Sequence, residues 1–443
     1  MHRIYIKTFG CKVNYAESMA AAELLRAEGL DACELTGARL PGRSQDAGPP
    51  AVLVNSCCVT TEAERKALQF VRRLRREHPD VEVLFTGCSA RHPDIRQRYA
   101  DAGAQVFDYY PAAVDWLKAR AGGNLAQPDL HPATKRSRAF IKIQDGCTCR
   151  CSFCIIPDVR PYASRPPAEI LGEVNRCIAA GFYEVVLTGV NSGHYGRAPF
   201  RSEGTAQTES EPGPDLAGYQ LCELLDDVLA VLPEGYRLRL SSIEPEDVSD
   251  RLLAQLAHPR MCPHLHMPLQ SGSDAVLKAM RRRYTAAQYL DIVARFRRAC
   301  PEGAVTTDIL VGYPTESQGD FDATLKLCTA AGFERIHGFP YSPRPGTPAA
   351  QLPPLPRTEV RHRNRQLIDH CAQIEDRRWQ RFVGGECTVI VEEQADGLLR
   401  GHGEAYQIVH LPGEPDAAEL IGRCLPVRLA SYGGGIFTGE LRR

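Results

Sequence analysis

The stretch Phe140-Ile-Lys-Ile-Gln-Asp-Gly-Cys-Thr-Cys-Arg-Cys-Ser-Phe-Cys-Ile-Ile-Pro157 decides how the rest of this chain is read. A short apolar strand, Phe140 to Ile143, runs into Asp145-Gly146. Cys147, Cys151 and Cys154 then follow in a C-x3-C-x2-C spacing. Three thiolates in one loop suit soft transition metals and iron–sulfur clusters, which favour sulfur ligands. Three ligands leave a four-iron cluster one short, and an iron without a protein ligand is a place where a substrate or cofactor can coordinate. Structural zinc takes four ligands, often as two separated C-x2-C pairs. Here only Cys151/Cys154 forms such a pair. The nearby thiol of Cys149 leaves open a zinc site closed by Cys147, Cys149, Cys151 and Cys154.

Outward from that loop, 443 residues predict two to three domains. A hydrophobic fraction of 43% is enough for ordinary buried cores. The first residues, Met1-His-Arg-Ile-Tyr-Ile-Lys-Thr-Phe9, have a strand pattern and not a charged-then-apolar leader. No apolar run approaches the ~20 residues needed to span a bilayer, so a cytoplasmic protein with no membrane partner is expected. In that setting seventeen cysteines point to metal or redox chemistry and not to a disulfide framework. A net charge of −1 means that any nucleic-acid partner is held by local basic faces.

The segment before the loop alternates strands and helices. Strands are expected at Arg3–Thr8, Ala51–Val54 and Val81–Phe85, with helices at Glu17–Glu28, Glu62–Arg76 and Ala112–Arg120. That alternation predicts an α/β, doubly wound parallel sheet, whose functional residues gather beyond the carboxyl ends of the strands. Three strand ends carry a cysteine: Thr8-Phe-Gly-Cys11, Val54-Asn-Ser-Cys57 and Thr86-Gly-Cys88. If the fold is right, Cys11, Cys57 and Cys88 converge on one rim as a second three-thiolate set, although free cysteine is often only a small buried hydrophobe. Cys58, alternating with Cys57 on an extended chain, is read as packing.

Gly122–Lys135 reads as a linker. Beyond it, strands at 140–143, 184–187, 237–240, 264–267, 305–310 and 335–339 alternate with helices, which suggests a full or partial β/α barrel with its chemistry at the C-terminal face. Phe200–Gly218 looks like an inserted flexible loop. Arg357–Arg381 is a charged helix, and short glycine-punctuated strands from Glu386 onward predict a small β-barrel. The expected division is 1–125, 136–372 and 378–443.

Over nearly its whole length the chain resembles the radical S-adenosylmethionine (SAM) methylthiotransferases. The matching stretches are Thr8-Phe-Gly-Cys-Lys-Val-Asn14, Val54-Asn-Ser-Cys57, Thr86-Gly-Cys88, Cys147…Cys151…Cys154 and Leu187-Thr-Gly-Val-Asn191. Further along come Leu240-Ser-Ser-Ile-Glu-Pro245, His266-Met-Pro-Leu-Gln-Ser-Gly272, Thr307-Asp-Ile-Leu-Val-Gly-Tyr-Pro314 and Tyr341-Ser-Pro-Arg-Pro-Gly-Thr347. The resemblance implies a radical-SAM partial barrel, a C-terminal TRAM domain, two [4Fe-4S] clusters and SAM as cofactors, and a tRNA substrate. Gly10-Cys-Lys-Val-Asn14, Lys142-Ile-Gln144 and Phe339 to Thr347 look most like the branch that acts on C2 of N6-threonylcarbamoyladenosine at tRNA position 37. Sister branches act on isopentenyladenosine at the same position or on a ribosomal-protein aspartate.

Carbon 2 of adenine carries a strong C–H bond that no side-chain acid or base functionalises. The family solution assigns SAM cleavage to the cluster on Cys147, Cys151 and Cys154, and sulfur supply to the cluster on Cys11, Cys57 and Cys88. A second SAM gives the methyl group, and the cofactors carry the chemistry while the protein positions them. A one-electron donor such as flavodoxin or ferredoxin and a monomeric state are expected.

By resemblance, Phe153 lies against the adenine of SAM and Thr188 and Gly189 at its methionine end. Gln270 and Ser271 lie near the ribose, and Gly312 at an adenine-side edge. Asp308 and Arg344 are candidates for the tRNA-facing or active-site surface. Two departures from the family pattern stand out: the extra thiol Cys149, and Arg160-Pro-Tyr-Ala-Ser-Arg165 in place of the usual Arg-Gly run. The C-terminal segment Glu386 to Arg443 has five arginines against nine acidic residues, a net −4, the wrong sign for attracting phosphates. The expected basic footprints are Arg72–Arg76, Arg281–Arg283, Arg295/Arg297/Arg298 and the Arg357–Arg381 helix. A non-catalytic zinc and RNA-binding module is the rival of another class.

Overall fold

The computed structural model describes residues 3–37, 39–40, 50–121, 137–197, 216, 218–413 and 417–442. The expected linker at 122–135 and nearly all of the expected loop at 200–218 lie outside the described residues. The chain divides into two compact units. One comprises Met1–Lys135, Asp145–Cys147 and Ile155–Tyr162, and the other Arg136–Gln144, Thr148–Cys154 and Ala163–Arg443.

In the first unit the elements run β1 (Ile4–Phe9), α1 (Lys12–Ala27), β2 (Ala32–Glu34), β3 (Ala51–Ser56), α2 (Thr61–Glu77), β4 (Glu82–Thr86), α3 (Pro93–Asp101), β5 (Gln105–Val106) and α4 (Tyr110–Ala121). The strands form one sheet in the order β2-β1-β3-β4-β5, and every pair is parallel. Every residue of β3 is buried, as befits a central strand covered on both faces. The strand order reverses between β1 and β3, so the loops after those two strands leave the sheet in opposite directions and open a crevice. Thr60 caps α2 by accepting a hydrogen bond from Ala63 N at 3.3 Å. The sequence placed the start of α1 near Glu17. The helix instead begins at Lys12, which makes Cys11 its N-cap.

The second unit holds β6 (Arg138–Asp145, whose last residue falls in the first unit), β7 (Ala163–Ser164), β8 (Glu184–Gly189), β9 (Arg237–Leu240), β10 (His264–His266), β11 (Ala304–Val311) and β12 (Arg335–Pro340). The short helix α5 (Ile156–Val159) lies in the first unit. Helices α6 (Pro167–Ala179), α7 (Leu221–Val231), α8 (Asp250–Leu256), α9 (Asp274–Ala279), α10 (Ala286–Ala299) and α11 (Gln318–Ala331) follow the strands. Two sheets, β7-β6-β8-β9 and β10-β11-β12, are linked by an isolated parallel bridge from Leu238 to Met261. One continuous apolar core, from Ile141 and Val185 through Leu238 and Leu265 to Val305, runs behind both. Of the full or partial β/α barrel that the spacing predicts, the structure has the open, partial form that the resemblance implies.

Helix α12 (Arg357–Gln380) leads to β13 (Glu386–Ala395), β14 (Leu398–His402), β15 (Ile408–Pro412), β16 (Cys424–Gly433) and β17 (Ile436–Leu441). These close into a small barrel in the order β13-β14-β15-β17-β16. Closure removes the exposed strand edges that a short sheet would otherwise present. Trp379 at the end of α12 meets Phe437 edge-on at 5.9 Å. Among the described residues no helix is long and apolar enough to cross a membrane.

Candidate active site

The three strand-end cysteines of the first unit come together. β1 ends at Phe9 and Cys11 caps the next helix. Cys57 continues the ladder past β3 by donating its N–H to Phe9 O at 2.8 Å. Cys88 follows β4 through Gly87, whose φ of +98° is open to glycine and strained for other residues. A β-carbon at Gly10 would come within 2.3 Å of Asn14 Oδ1 and 3.0 Å of Cys57 Cβ, so this turn needs a residue without one. The amide of Asn14 donates to Asn55 Oδ1 at 2.8 Å, and Asn55 Nδ2 donates back to Asn14 O at 3.0 Å. That reciprocal pair fixes the two loops against each other, and Cys11 Sγ donates to Asn14 Oδ1 at 3.4 Å.

The Cys57 thiol is hydrogen-bonded to both Cys11 and Cys88, and these contacts together with burial push it well up from the ordinary thiol range. Cys88 moves the opposite way. Thiol contacts from Cys57 and then Cys58, with the nearby Arg160 guanidinium, hold it well below that range. Cys57 and Cys88 are buried, whereas Cys11 is exposed and forms the open lip of the set. Cys58, read as packing, is fully buried and also reaches Cys88.

Arg160 is the residue that sequence reasoning did not place here. Its Nε donates to Cys88 Sγ at 2.9 Å. Nη1 donates to Glu17 Oε1 at 2.8 Å and to Asp145 Oδ1 at 2.6 Å, and Nη2 to Glu17 Oε2 at 3.0 Å. Only 2% of Arg160 is exposed. The only signal in the sequence was its place in the unusual run after the cysteine loop.

In the second unit, Ser152 pins the cysteine loop. Its N–H donates to Met280 O at 3.1 Å, its hydroxyl to Ala279 O at 2.9 Å, and its carbonyl accepts from Ala349 N at 2.9 Å. Cys154 N donates to Cys151 O at 3.1 Å, closing a tight turn between two of the three thiols. Arg282 Nη1 donates to Cys151 Sγ at 3.4 Å while the same guanidinium pairs with Glu244. Burial pushes the Cys151 thiol up, and Arg282 opposes that push. Cys149 receives Asn191 Nδ2 at 3.6 Å and lies 4.0 Å from His194 Nε2. Cys147, Cys149, Cys151 and Cys154 are all half-buried.

The other expected cofactor residues of this unit lie at or beyond the carboxyl ends of its strands. Phe153 packs among Val276, Met280, Tyr313 and Ala349. Thr188 and Gly189 end β8, and Gln144 Oε1 accepts from Asn191 N at 2.9 Å just past them. Gln270 has φ +64° and bridges to β11 next to Asp308, accepting from Leu310 N and donating to Asp308 O. Ser271 is buried beside Thr324. Gly312 has φ +79° and donates to Glu316 Oε2 at 2.9 Å. Asp308 lies 3.3 Å from His266 Nε2. Arg344, expected at a surface, is only 4% exposed.

Part of the expected basic footprint is spent inside the fold. Arg363 pairs with Glu316, Arg378 and Arg381 with Glu334, and Arg282 with Glu244, whereas Arg295 meets Asp250 at the surface.

Residues 141–328 match the Radical SAM superfamily, and residues 3–102 match the uncharacterized protein family UPF0004. The chain is 35% identical to the threonylcarbamoyladenosine tRNA methylthiotransferase MtaB of Thermotoga maritima, over 92% of this chain and 90% of that protein. It is 34% identical to the tRNA-2-methylthio-N(6)-dimethylallyladenosine synthase of Chloroflexus aurantiacus, over 97% of this chain and 89% of that one. The chain belongs to the radical SAM tRNA methylthiotransferases. Among solved structures, the radical SAM methyltransferase TsrM from Kitasatospora setae superposes with a TM-score of 0.56 at 15% identity. It covers 79% of this chain and 77% of its own, a likeness of fold alone.

Radical SAM methylthiotransferases use SAM and two [4Fe-4S] clusters, and the donor chemistry here fits that demand. Thiolates are the ligands iron–sulfur clusters take, and three thiols meet at one rim with a single exposed member. The buried hydroxyls of Ser56, Thr86 and Ser89, which flank Cys57 and Cys88, have no hydrogen-bond partner among the described residues. Also among those residues, no set of three or more His, Cys, Asp or Glu side chains is drawn around a single metal ion. The fit is therefore one of donor type and access.

Proposed function

We propose that this methylthiotransferase adds a methylthio group to C2 of N6-threonylcarbamoyladenosine at position 37 of tRNA. The observation that carries the sulfur-transfer reading is the meeting of Cys11, Cys57 and Cys88 at the ends of three parallel strands. Cys11, Cys57 and Cys88 would hold a cluster there that would supply the sulfur, with Cys11 the exposed member of the set. Cys147, Cys151 and Cys154 would hold the cluster whose chemistry would be the cleavage of SAM. When bound, these groups supply the radical and the sulfur that side chains cannot.

The protein's own residues orient and enclose. Ser152 fixes the cysteine loop, and Phe153, Thr188, Gly189, Gln270, Ser271 and Gly312 would frame SAM. Gln270 and Gly312 would do so with backbone held at positive φ. The protein works as a cytoplasmic monomer and draws its electrons from a small donor such as flavodoxin or ferredoxin.

The choice of modified base rests on Gly10-Cys-Lys-Val-Asn14 and on Phe339 to Thr347, which resemble the threonylcarbamoyladenosine branch. Relatedness to the Chloroflexus synthase favours dimethylallyladenosine as the second reading. Mass spectrometry of nucleosides from tRNA of cells with and without the gene separates the two. The 2-methylthio form of N6-threonylcarbamoyladenosine should disappear with the gene. Disappearance of the 2-methylthio dimethylallyl nucleoside alone would sink the first reading.

A further inference from the structure

We propose that Arg160 is a positioning residue for the sulfur-supplying cluster, donating an N–H to the ligand sulfur of Cys88 and so setting that cluster's reduction potential. The inference rests on the reading that Cys11, Cys57 and Cys88 hold a cluster. It assigns a role to a residue outside both thiolate sets.

The geometry leaves Arg160 little freedom. Its fork spends Nη1 and Nη2 on Glu17 and Asp145, so Nε is the edge left for Cys88, at 2.9 Å. Glu17 is 3% exposed and sits on α1, six residues after Cys11. A bidentate carboxylate partner fixes the guanidinium plane as well as its charge. The same side chain is thereby oriented by the helix that Cys11 caps, and it points its remaining donor at Cys88. Asp145, the third partner, lies two residues before Cys147 in the sequence.

Hydrogen bonds to cluster sulfurs and local net charge are two of the levers that set iron–sulfur potentials. An N–H aimed at sulfur stabilises the reduced, more negative cluster and raises its potential. Arg160, Glu17 and Asp145 together carry a net charge of about −1 when all are ionised. Removing only the arginine takes away the hydrogen bond and leaves the carboxylates of buried Glu17 and half-buried Asp145 without it. Replacing Arg160 and Glu17 together by glutamine takes away the hydrogen bond while keeping the local net charge.

The test uses the full-length chain carrying Cys147→Ala, Cys151→Ala and Cys154→Ala, reconstituted anaerobically, so that only the Cys11/Cys57/Cys88 set can hold a cluster. Iron is counted, and the midpoint potential is read from the EPR signal of the reduced cluster. Arg160→Gln and the Arg160→Gln/Glu17→Gln pair are compared with that parent. Both should keep the parent's iron content and shift the midpoint to more negative values, the single variant further than the pair. The double variant retains a neutral hydrogen-bonding partner at position 17, so the buried Glu17 carboxylate is not left facing a lost cation, and only the half-buried Asp145 gives up its Arg160 contact. An unchanged midpoint in the iron-loaded double variant overturns the role of Arg160 and leaves the cluster reading standing. A parent that binds no iron overturns the cluster reading, and the inference with it.

Discussion

A cysteine that ligates iron and one that merely fills a core differ in what its removal does, and the two thiolate sets should fail in different ways. Cys151→Ala should abolish reductive cleavage of SAM, measured as 5′-deoxyadenosine formed under dithionite. Cys57→Ala should leave that cleavage within a few-fold of wild type and stop methylthio insertion into tRNA. On the proposed assignment of one four-iron cluster to each set, iron should fall from about eight to about four per chain in each variant. Methylthiolated tRNA from Cys57→Ala would remove the second set from the mechanism. These cysteines were legible in the sequence because strand–helix alternation predicts where strands end, and Cys11, Cys57 and Cys88 each follow such an end. Arg160 was not legible at this scale. Its partners Glu17 and Cys88 lie 143 and 72 positions away, and nothing local marks one arginine as the one turned inward.

Elements carry the next level of constraint, and the clearest case is β8. Glu184 is fully buried and receives Arg237 Nε and Arg239 Nε from β9, both at 2.6 Å. The same arginines donate onward to backbone carbonyls of the small barrel: Arg237 to Thr388 and His402, Arg239 to Gly403 and Glu404. One carboxylate therefore orients two forks that hold the barrel against the β8–β9 edge. Burial alone would raise the Glu184 carboxyl, but Arg239, Arg237 and Arg138 together hold it well below the usual range. Because its folded value is depressed, its contribution to stability is complete above the unfolded carboxyl value of about 4.3. It is lost as pH falls through the lower folded value.

Glu184→Gln should destabilise the protein by about 3–5 kcal/mol at neutral pH, the cost of leaving buried cations without their charge partner. Urea midpoints should show this loss, and limited proteolysis should release the barrel earlier. The gap between wild type and variant should narrow as the pH is lowered below about 4. A gap that widened on acidification would contradict the assignment. The strands and helices here were readable from period and turn residues, down to Arg237–Leu240. The inward turn of Glu184, Arg237 and Arg239 was not, because charged residues on a strand look solvent-facing until the covering domain is known. The start of α1 was misread for a related reason: Lys12-Val-Asn-Tyr15 has no apolar repeat, and tertiary bonds through Asn14 and Asn55 decide the matter instead of propensity.

At the scale of the whole molecule, a net charge of −1 leaves tRNA binding to local faces. The fold sorts the candidates. Arg363, Arg378 and Arg381 of the basic helix segment are committed to Glu316 and Glu334, whereas Arg361 and Arg365 are exposed on α12. On the small barrel, Arg428 pairs with Glu440, and Arg400 with Glu393 and Asp396. An acidic barrel whose Arg400 and Arg428 already face carboxylates is poorly suited to phosphates, and α12 offers the freer cations. Each phosphate contact releases counterions, so log affinity falls with log salt by roughly 0.7–0.9 per contact. Arg361→Glu/Arg365→Glu should therefore weaken tRNA binding and flatten the salt dependence by about 2 in slope. Arg428→Glu should leave the slope unchanged. Fluorescence anisotropy of labelled tRNA across a salt series reads both quantities. A flattened slope in Arg428→Glu with an unchanged one in the α12 pair would move the phosphate-binding face from α12 to the barrel, against the sign of its charge.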